Sequence, residues 1–165
     1  MRLVLGLAVV AVALGATTSG KRIPTVTCDD HISVLGERAP SPDTLVLGRV
    51  RTPRADEVLI PGHPVYRGAP RFAKRGLTVT AGAPVVLEVP RRYRRVYGLT
   101  FGSAGGRGLG AQAIRLRPCP TIAWTTWAGG YLVRKPVCVT LVVRADGRSA
   151  RVPLNIGRRC ARIAR

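Results

Sequence analysis

Proline and glycine recur so closely along this chain that almost no stretch is left for a long helix. There are 13 prolines and 19 glycines, spread over the whole length. Each proline removes a backbone donor and clashes with the preceding turn of a helix. Beyond the first residues, no long segment repeats its apolar side chains at spacings of three and four. The apolar residues alternate instead. Leu77 and Val79 alternate with Thr78 and Thr80, and Val85, Leu87 and Val89 with Val86 and Glu88. Period two is the spacing of a half-buried strand.

Short strands broken by turns follow along the chain. They are expected at Thr44 to Val50, Glu57 to Ile60, the two runs just named, Val96 to Phe101 and Ala111 to Arg117. Further strands are expected at Ile122 to Trp127, Tyr131 to Arg134, Val137 to Arg144 and Ala150 to Ile156. An edge strand at Val65-Tyr66 would lie in the long Pro/Gly-rich loop of residues 61–76. Asp146-Gly147 is a two-residue hairpin signal, and Gly129-Gly130 reads as a turn. The expected fold class is all-β: a single β-sandwich of about nine short strands, immunoglobulin-like or Greek-key, with two disulfides. A closed barrel is the alternative.

Three segments are expected. Residues 1–20 read as a signal peptide, because Arg2 precedes an uncharged apolar run from Leu3 to Ala16. That run is shorter than the roughly 20 residues a spanning helix needs. Cleavage would follow Ala13 or Gly15; an uncleaved anchor is the alternative. Residues 21–43 read as an extended N-terminal arm, with Pro24, Pro40 and Pro42. Residues 44–165 would form the sandwich. No second apolar stretch is long enough to span a bilayer.

All four cysteines (Cys28, Cys119, Cys138 and Cys160) follow the leader. An even count in an oxidising compartment reads as two disulfides. Of the three possible pairings, Cys119–Cys138 and Cys28–Cys160 are expected. The first would close a hairpin-like segment and the second would join the ends of the domain. Cys28 and His31 have a C-x-x-H spacing, but no second ligand pair accompanies them, so no metal is assigned.

Charge restricts function more than any motif does. Lys and Arg number 27 against 8 Asp and Glu, a formal net charge of +19. Lys21, Lys74 and Lys135 are the lysines, which leaves 24 arginines. Such a chain attracts polyanions at long range. The expected location is secreted or cell-envelope, and the candidate partners there are anionic wall polymers, lipid headgroups, extracellular nucleic acid and acidic polysaccharide. The densest basic run is Arg91-Arg92-Tyr93-Arg94-Arg95. Arg115 and Arg117 share one face of a predicted strand whose other face carries Ile114 and Leu116. Arginine forks pair bidentately with phosphate or carboxylate. Tyr93, followed by Tyr97, would offer a ring for stacking. Arg49, Arg51 and Arg54 form a third group, and Arg158, Arg159, Arg162 and Arg165 crowd the C-terminus. Aromatics are only 5% overall, so a sequence-reading nucleic-acid module is not expected.

No catalytic or cofactor constellation emerges. Phe101-Gly102-Ser103-Ala104-Gly105 lacks the first glycine of a nucleophile elbow. Residues 106–111 fit G-x-G-x-x-A, but no helix pattern follows. Blue copper needs a cysteine, two histidines and usually a methionine; Met1 is the sole methionine. The expectation is a non-catalytic protein that binds anionic polymers or surfaces through Arg91, Arg92, Tyr93, Arg94, Arg95, Arg115 and Arg117. One alternative is a structural or protein-interaction module, with either Trp124 or Trp127 exposed as the contact and the other in the core. A second is a metal-assisted hydrolase using Asp29, His31 and His63.

Overall fold

The computed structural model describes residues 22–32, 44–64, 66–105 and 108–160. The expected signal peptide of residues 1–20, the glycine motif at Gly106 and Arg107, and Val65 lie outside them. The described residues are all-β, with short 3-10 turns and thirteen strands. In order these are β1 (Thr25–Val26), β2 (Thr44–Val46), β3 (Val50–Thr52), β4 (Val58–Leu59) and β5 (Arg71–Lys74). Next come β6 (Leu77–Thr80), β7 (Val85–Glu88), β8 (Tyr97–Phe101) and β9 (Ala113–Leu116). The last four are β10 (Trp124–Trp127), β11 (Gly129–Val133), β12 (Val137–Ala145) and β13 (Arg148–Ile156).

They form three sheets, where about nine strands in one sandwich were expected. The six-stranded sheet runs β1-β9-β7-β12-β13-β4, the four-stranded sheet β10-β6-β3-β2, and the three-stranded sheet β5-β11-β8. The extra strands are two to four residues long, too short for alternation to mark them. Gly129-Gly130, expected as a turn, opens strand β11 instead. There the chain leaves the four-stranded sheet for the three-stranded one. A Cβ at Gly130 would collide with the Ala73 carbonyl, and one at Gly129 with the Thr100 carbonyl. The missing side chains let β5 and β8 close on β11 from both sides.

One core joins the sheets. Val85, Leu87, Ile114, Leu116, Leu141 and Val143 from the six-stranded sheet are fully buried with Val50, Val79 and Trp127 from the second and Tyr97, Phe101 and Tyr131 from the third. Each such aliphatic or aromatic side chain contributes about 1.5–3 kcal/mol. Phe101 and Tyr131 meet edge to face, with centroids 5.7 Å apart. The long hairpin β12–β13 turns at Asp146 (φ 50) and Gly147 (φ 71). Two positive φ values in a two-residue loop are the type I′ geometry that Asp-Gly favours.

The arm expected over residues 21–43 is partly built into the sheet. Thr25–Val26 pairs in parallel with β9, Thr25 opposite Arg115 and Val26 opposite Leu116. Val26 is completely buried.

The cysteine pairing differs from the expectation as well. Cys28 bonds Cys119, and Cys138 bonds Cys160. The parallel register explains the first pair. With Val26 beside Leu116, the next few residues of both chains run on together, and the Cα atoms of Cys28 and Cys119 lie 4.9 Å apart. Cys138 lies opposite Asn155 on β13. The chain then turns at Gly157 (φ 70) and brings Cys160 back to it. On the chain-entropy account the bonds stabilise by about 3 to 5 kcal/mol each, more for the loop of 91 residues than for that of 22.

Candidate polyanion-binding face

Strand alternation sorts the arginines. On β9, Ile114 and Leu116 are fully buried while Arg115 is exposed, and Arg117 is exposed just beyond. On β12, Val143 and Ala145 are buried and Arg144 is exposed. On β13, Val152 and Leu154 are buried and Arg151 is exposed. Residues directly opposite in register point to the same face. Thr25, Arg115, Val86, Arg144 and Ser149 therefore form one row across the outer face of the six-stranded sheet. The next row holds Ala113, Glu88, Val142 and Arg151. Arg115 and Arg144 sit two strands apart, about 10 Å at about 4.8 Å per strand.

One carboxylate sits among these cations. Glu88 Oε2 accepts from Arg144 Nη2 at 3.2 Å, and Glu88 Oε1 lies 3.6 Å from Arg94 Nη2. The partly exposed pairs leave the guanidinium groups in reach of solvent, and each is worth no more than about 1 kcal/mol. An open recess of about 290 Å³ lies on the same row, lined in part by Val86, Arg144, Asp146, Arg148 and Ser149.

The run Arg91 to Arg95 meets this face only through Arg94. Arg91–Tyr93 is a 3-10 turn after β7, with Arg91, Arg92 and Arg95 exposed. Arg94 Nε donates to the Val89 carbonyl at 3.2 Å. Tyr93 is half-buried, with the Arg92 guanidinium 4.7 Å above its ring and the Tyr97 ring 6.2 Å away. Tyr97, expected to follow it as a stacking surface, is completely buried. It opens β8 just after the turn that carries the basic run, and its ring lies in the core.

The third basic group is structural. Arg49 donates to both carboxylate oxygens of Asp146 (2.8 and 3.0 Å), to Thr80 Oγ1 at 2.7 Å and to the Ala83 carbonyl at 2.8 Å. Arg54 pairs with Asp56 at 2.7 Å. That hydrogen bond raises the Arg54 pKa, so the group stays charged. Arg51 lies 4.6 Å over the Trp124 ring. Trp124 is half-buried beneath it, while Trp127 is fully buried and its indole N–H donates to the Thr27 carbonyl at 2.9 Å. The two tryptophans thus face opposite ways, as their spacing on a strand requires.

Among the described residues the ligand cluster at His31 includes neither Asp29 nor His63, the other residues named for a metal-assisted hydrolase. His31 gathers Cys28 and Cys119, with ligand atoms within 4.8 Å of one another. Those sulfurs are bonded to each other, and a metal ligand must be a thiolate. His31 Nδ1 donates to the Cys28 carbonyl at 2.6 Å. Asp29 accepts from Thr27 Oγ1 at 3.4 Å. Asp30 accepts from the Thr27 N–H at 3.1 Å and from Ser103 at 2.9 Å. The Thr27–Asp30 bond caps the 3-10 turn at Cys28–Asp30. His63 is exposed in the loop after β4.

Arg144 and Arg151 join this face although they lie outside the basic clusters of the sequence. Both sit beside buried valines in the hairpin that Asp146-Gly147 sets in register. Among the described residues no helix is long and apolar enough to cross a membrane. No protein-family model matches this chain, and neither does any curated protein or solved structure.

Proposed function

We propose that this protein acts outside the cytoplasm, without catalysis, as a binder of anionic polymers, and that the outer face of the six-stranded sheet is its binding surface. The observation that carries the reading is the cross-strand row: Arg115 and Arg144 flank Val86, with Arg117, Arg151 and Arg94 around them. Arg91, Arg92 and Arg95 extend the charge from the adjoining turn. Two disulfides support an oxidising compartment. The net charge of +19 supports attraction to a polyanion over roughly a Debye length.

The carboxylates support the same division of labour. Asp146, Asp56, Glu57 and Glu88 are each taken by an arginine, and Asp29 and Asp30 by the cap at Thr27. Among the described residues none of these contacts reaches Arg115, Arg117 or Arg151. The sheet fixes the backbone beneath these residues, so the ordering cost at binding falls on the arginine side chains themselves, about 0.5–1.5 kcal/mol each.

Retention on immobilised heparin, compared with a folded protein of matched charge, tests the reading. Elution at clearly higher salt than the control is expected. Co-elution with the control would leave charge alone as the explanation and remove the case for a site.

A further inference from the structure

The second disulfide adds something to this face that the row of arginines does not show by itself. On β12, Val139, Leu141 and Val143 turn inward and are buried, so Cys138 belongs to the outward set with Thr140, Val142 and Arg144. Its bond to Cys160 therefore holds Cys160 on the outward side of β12, where Asn155 opposite is itself covered and donates to the Ala55 and Glu57 carbonyls. The Gly157 N–H donates to the Leu59 carbonyl at 2.7 Å, which fixes the start of the return. Arg158 and Arg159, both exposed, lie between that anchor and the disulfide. Cys138 stands about 20 Å from Arg144 along β12, at about 3.3 Å per residue.

The cations are thus strung along the strand direction. Arg117 lies at one end, Arg115 and Arg144 follow, then Arg151 in the row of Glu88 but two strands from it, and the exposed Arg158 and Arg159 precede Cys160 at the other end. The exposed large apolar side chains are Ile23, Leu45, Ile60, Tyr66 and Phe72. None belongs to the outward set of the inner strands β7, β9, β12 or β13; Ile23 and Ile60 flank the edge strands β1 and β4 at the two margins of the sheet. A surface that docks on a bilayer adds apolar side chains that enter the acyl boundary. Arginine forks suit tetrahedral phosphate.

We propose that this face is a linear track for one extended phosphodiester chain, and that the Cys138–Cys160 bond is the clasp that adds Arg158 and Arg159 to its far end. The proposal rests on the reading of the sheet face as a polyanion site. It goes further in naming a chain-like occupant, a direction and the residues at the end of the track.

The test uses the oxidised full chain and three probes: an oligothymidylate of about 16 nucleotides, within the range of single-strand site sizes, a thymidine dinucleotide, and an anionic lipid vesicle. Affinity for each is measured against salt for the unmodified protein, for Arg158→Ala/Arg159→Ala and for Cys138→Ser/Cys160→Ser. The long probe is expected to bind far more tightly than the dinucleotide. Its salt slope should fall by about 1.4 in the arginine variant, at about 0.7 per phosphate contact on a single strand. The cysteine variant should fall similarly while the dinucleotide changes little. An unchanged slope for the long probe in both variants, with binding intact, would overturn the track and leave the sheet face standing. Tighter binding to the vesicle than to the long probe would overturn the chain-like occupant. No binding of any probe by the unmodified protein would overturn the phosphodiester occupant, and retention on heparin would then decide separately whether the sheet face stands as a polyanion site. Because Arg158→Ala/Arg159→Ala keeps the disulfide, the result does not depend on the folding of the cysteine variant.

Discussion

The Tyr97 hydroxyl donates to the Thr140 carbonyl at 2.6 Å and so ties the three-stranded sheet to the six-stranded one. The bond fills a gap in the ladder. The two-residue turn makes Ala145 and Arg148 a hydrogen-bonded pair, and alternation makes Thr140 and Pro153 a non-bonded pair. The Thr140 carbonyl then points toward β7, whose pairing with β12 ends at Glu88 opposite Val142. The next position on that side is approached by Pro90, which has no N–H to give. Tyr97 supplies the donor. Tyr97→Phe is expected to cost about 1–3 kcal/mol in urea unfolding, because a partly buried acceptor loses its donor.

Tyr97 also sets a pH limit. Burial pushes its phenol well above the ordinary value of 10.0, with Tyr131 and Tyr93 adding to the shift. The fold holds the neutral form, whereas the unfolded chain ionises near 10. Stability from this group is complete below about pH 10 and declines above it, by up to about 1.4 kcal/mol per pH unit. Unfolding free energy measured from pH 8 to 11 should fall more steeply above pH 10 in the unmodified protein than in Tyr97→Phe. Equal slopes would remove Tyr97 from the account.

Peptide mapping without reduction should recover Cys28 joined to Cys119 and Cys138 joined to Cys160. Cys119 is fully buried, while Cys138 and Cys160 are half-exposed, so limited reductant should open Cys138–Cys160 first. Removing the Cys28–Cys119 bond by double serine substitution is expected to cost about 2–5 kcal/mol.

Arg49 and Arg115 should behave oppositely on substitution. Arg49→Ala removes the contacts to Asp146, Thr80 and Ala83 that hold the β12–β13 turn against the four-stranded sheet. A loss of about 1–3 kcal/mol is expected, since hydrogen bonds to charged groups are the stronger kind. Arg115→Ala is solvent-facing and should stay within about 0.5 kcal/mol of the unmodified protein. Thermal unfolding of the two variants under one set of conditions checks the pair.

The β class, the Asp146-Gly147 hairpin and the two faces of residues 113–117 could be read from the sequence because alternation and turn chemistry act locally. Val26 could not. A two-residue parallel strand carries no period, and its partner lies far along the chain. With β1 unseen, the approach of Cys28 to Cys119 was invisible, and Cys119–Cys138 looked the simpler closure. The site divided in the same way. Arg115 and Arg117 declared themselves by alternation with Ile114 and Leu116. The density of arginine around Tyr93 drew attention to a turn whose ring is covered by Arg92 and packed near Tyr97. Arginine density and arginine alignment are different properties, and only register reports the second.

The central claim is that position on the sheet, not total charge, makes the binding surface. It is tested most directly by two triple variants of equal charge change, Arg115→Glu/Arg144→Glu/Arg151→Glu on the outer face and Arg71→Glu/Lys74→Glu/Arg134→Glu at the three-stranded sheet. Their affinities for heparin are compared at one salt concentration after circular dichroism confirms that both fold. The account predicts a loss of at least about 100-fold for the outer-face variant, the equivalent of about 2.7 kcal/mol, and a much smaller loss for the other. Equal losses in both would contradict it.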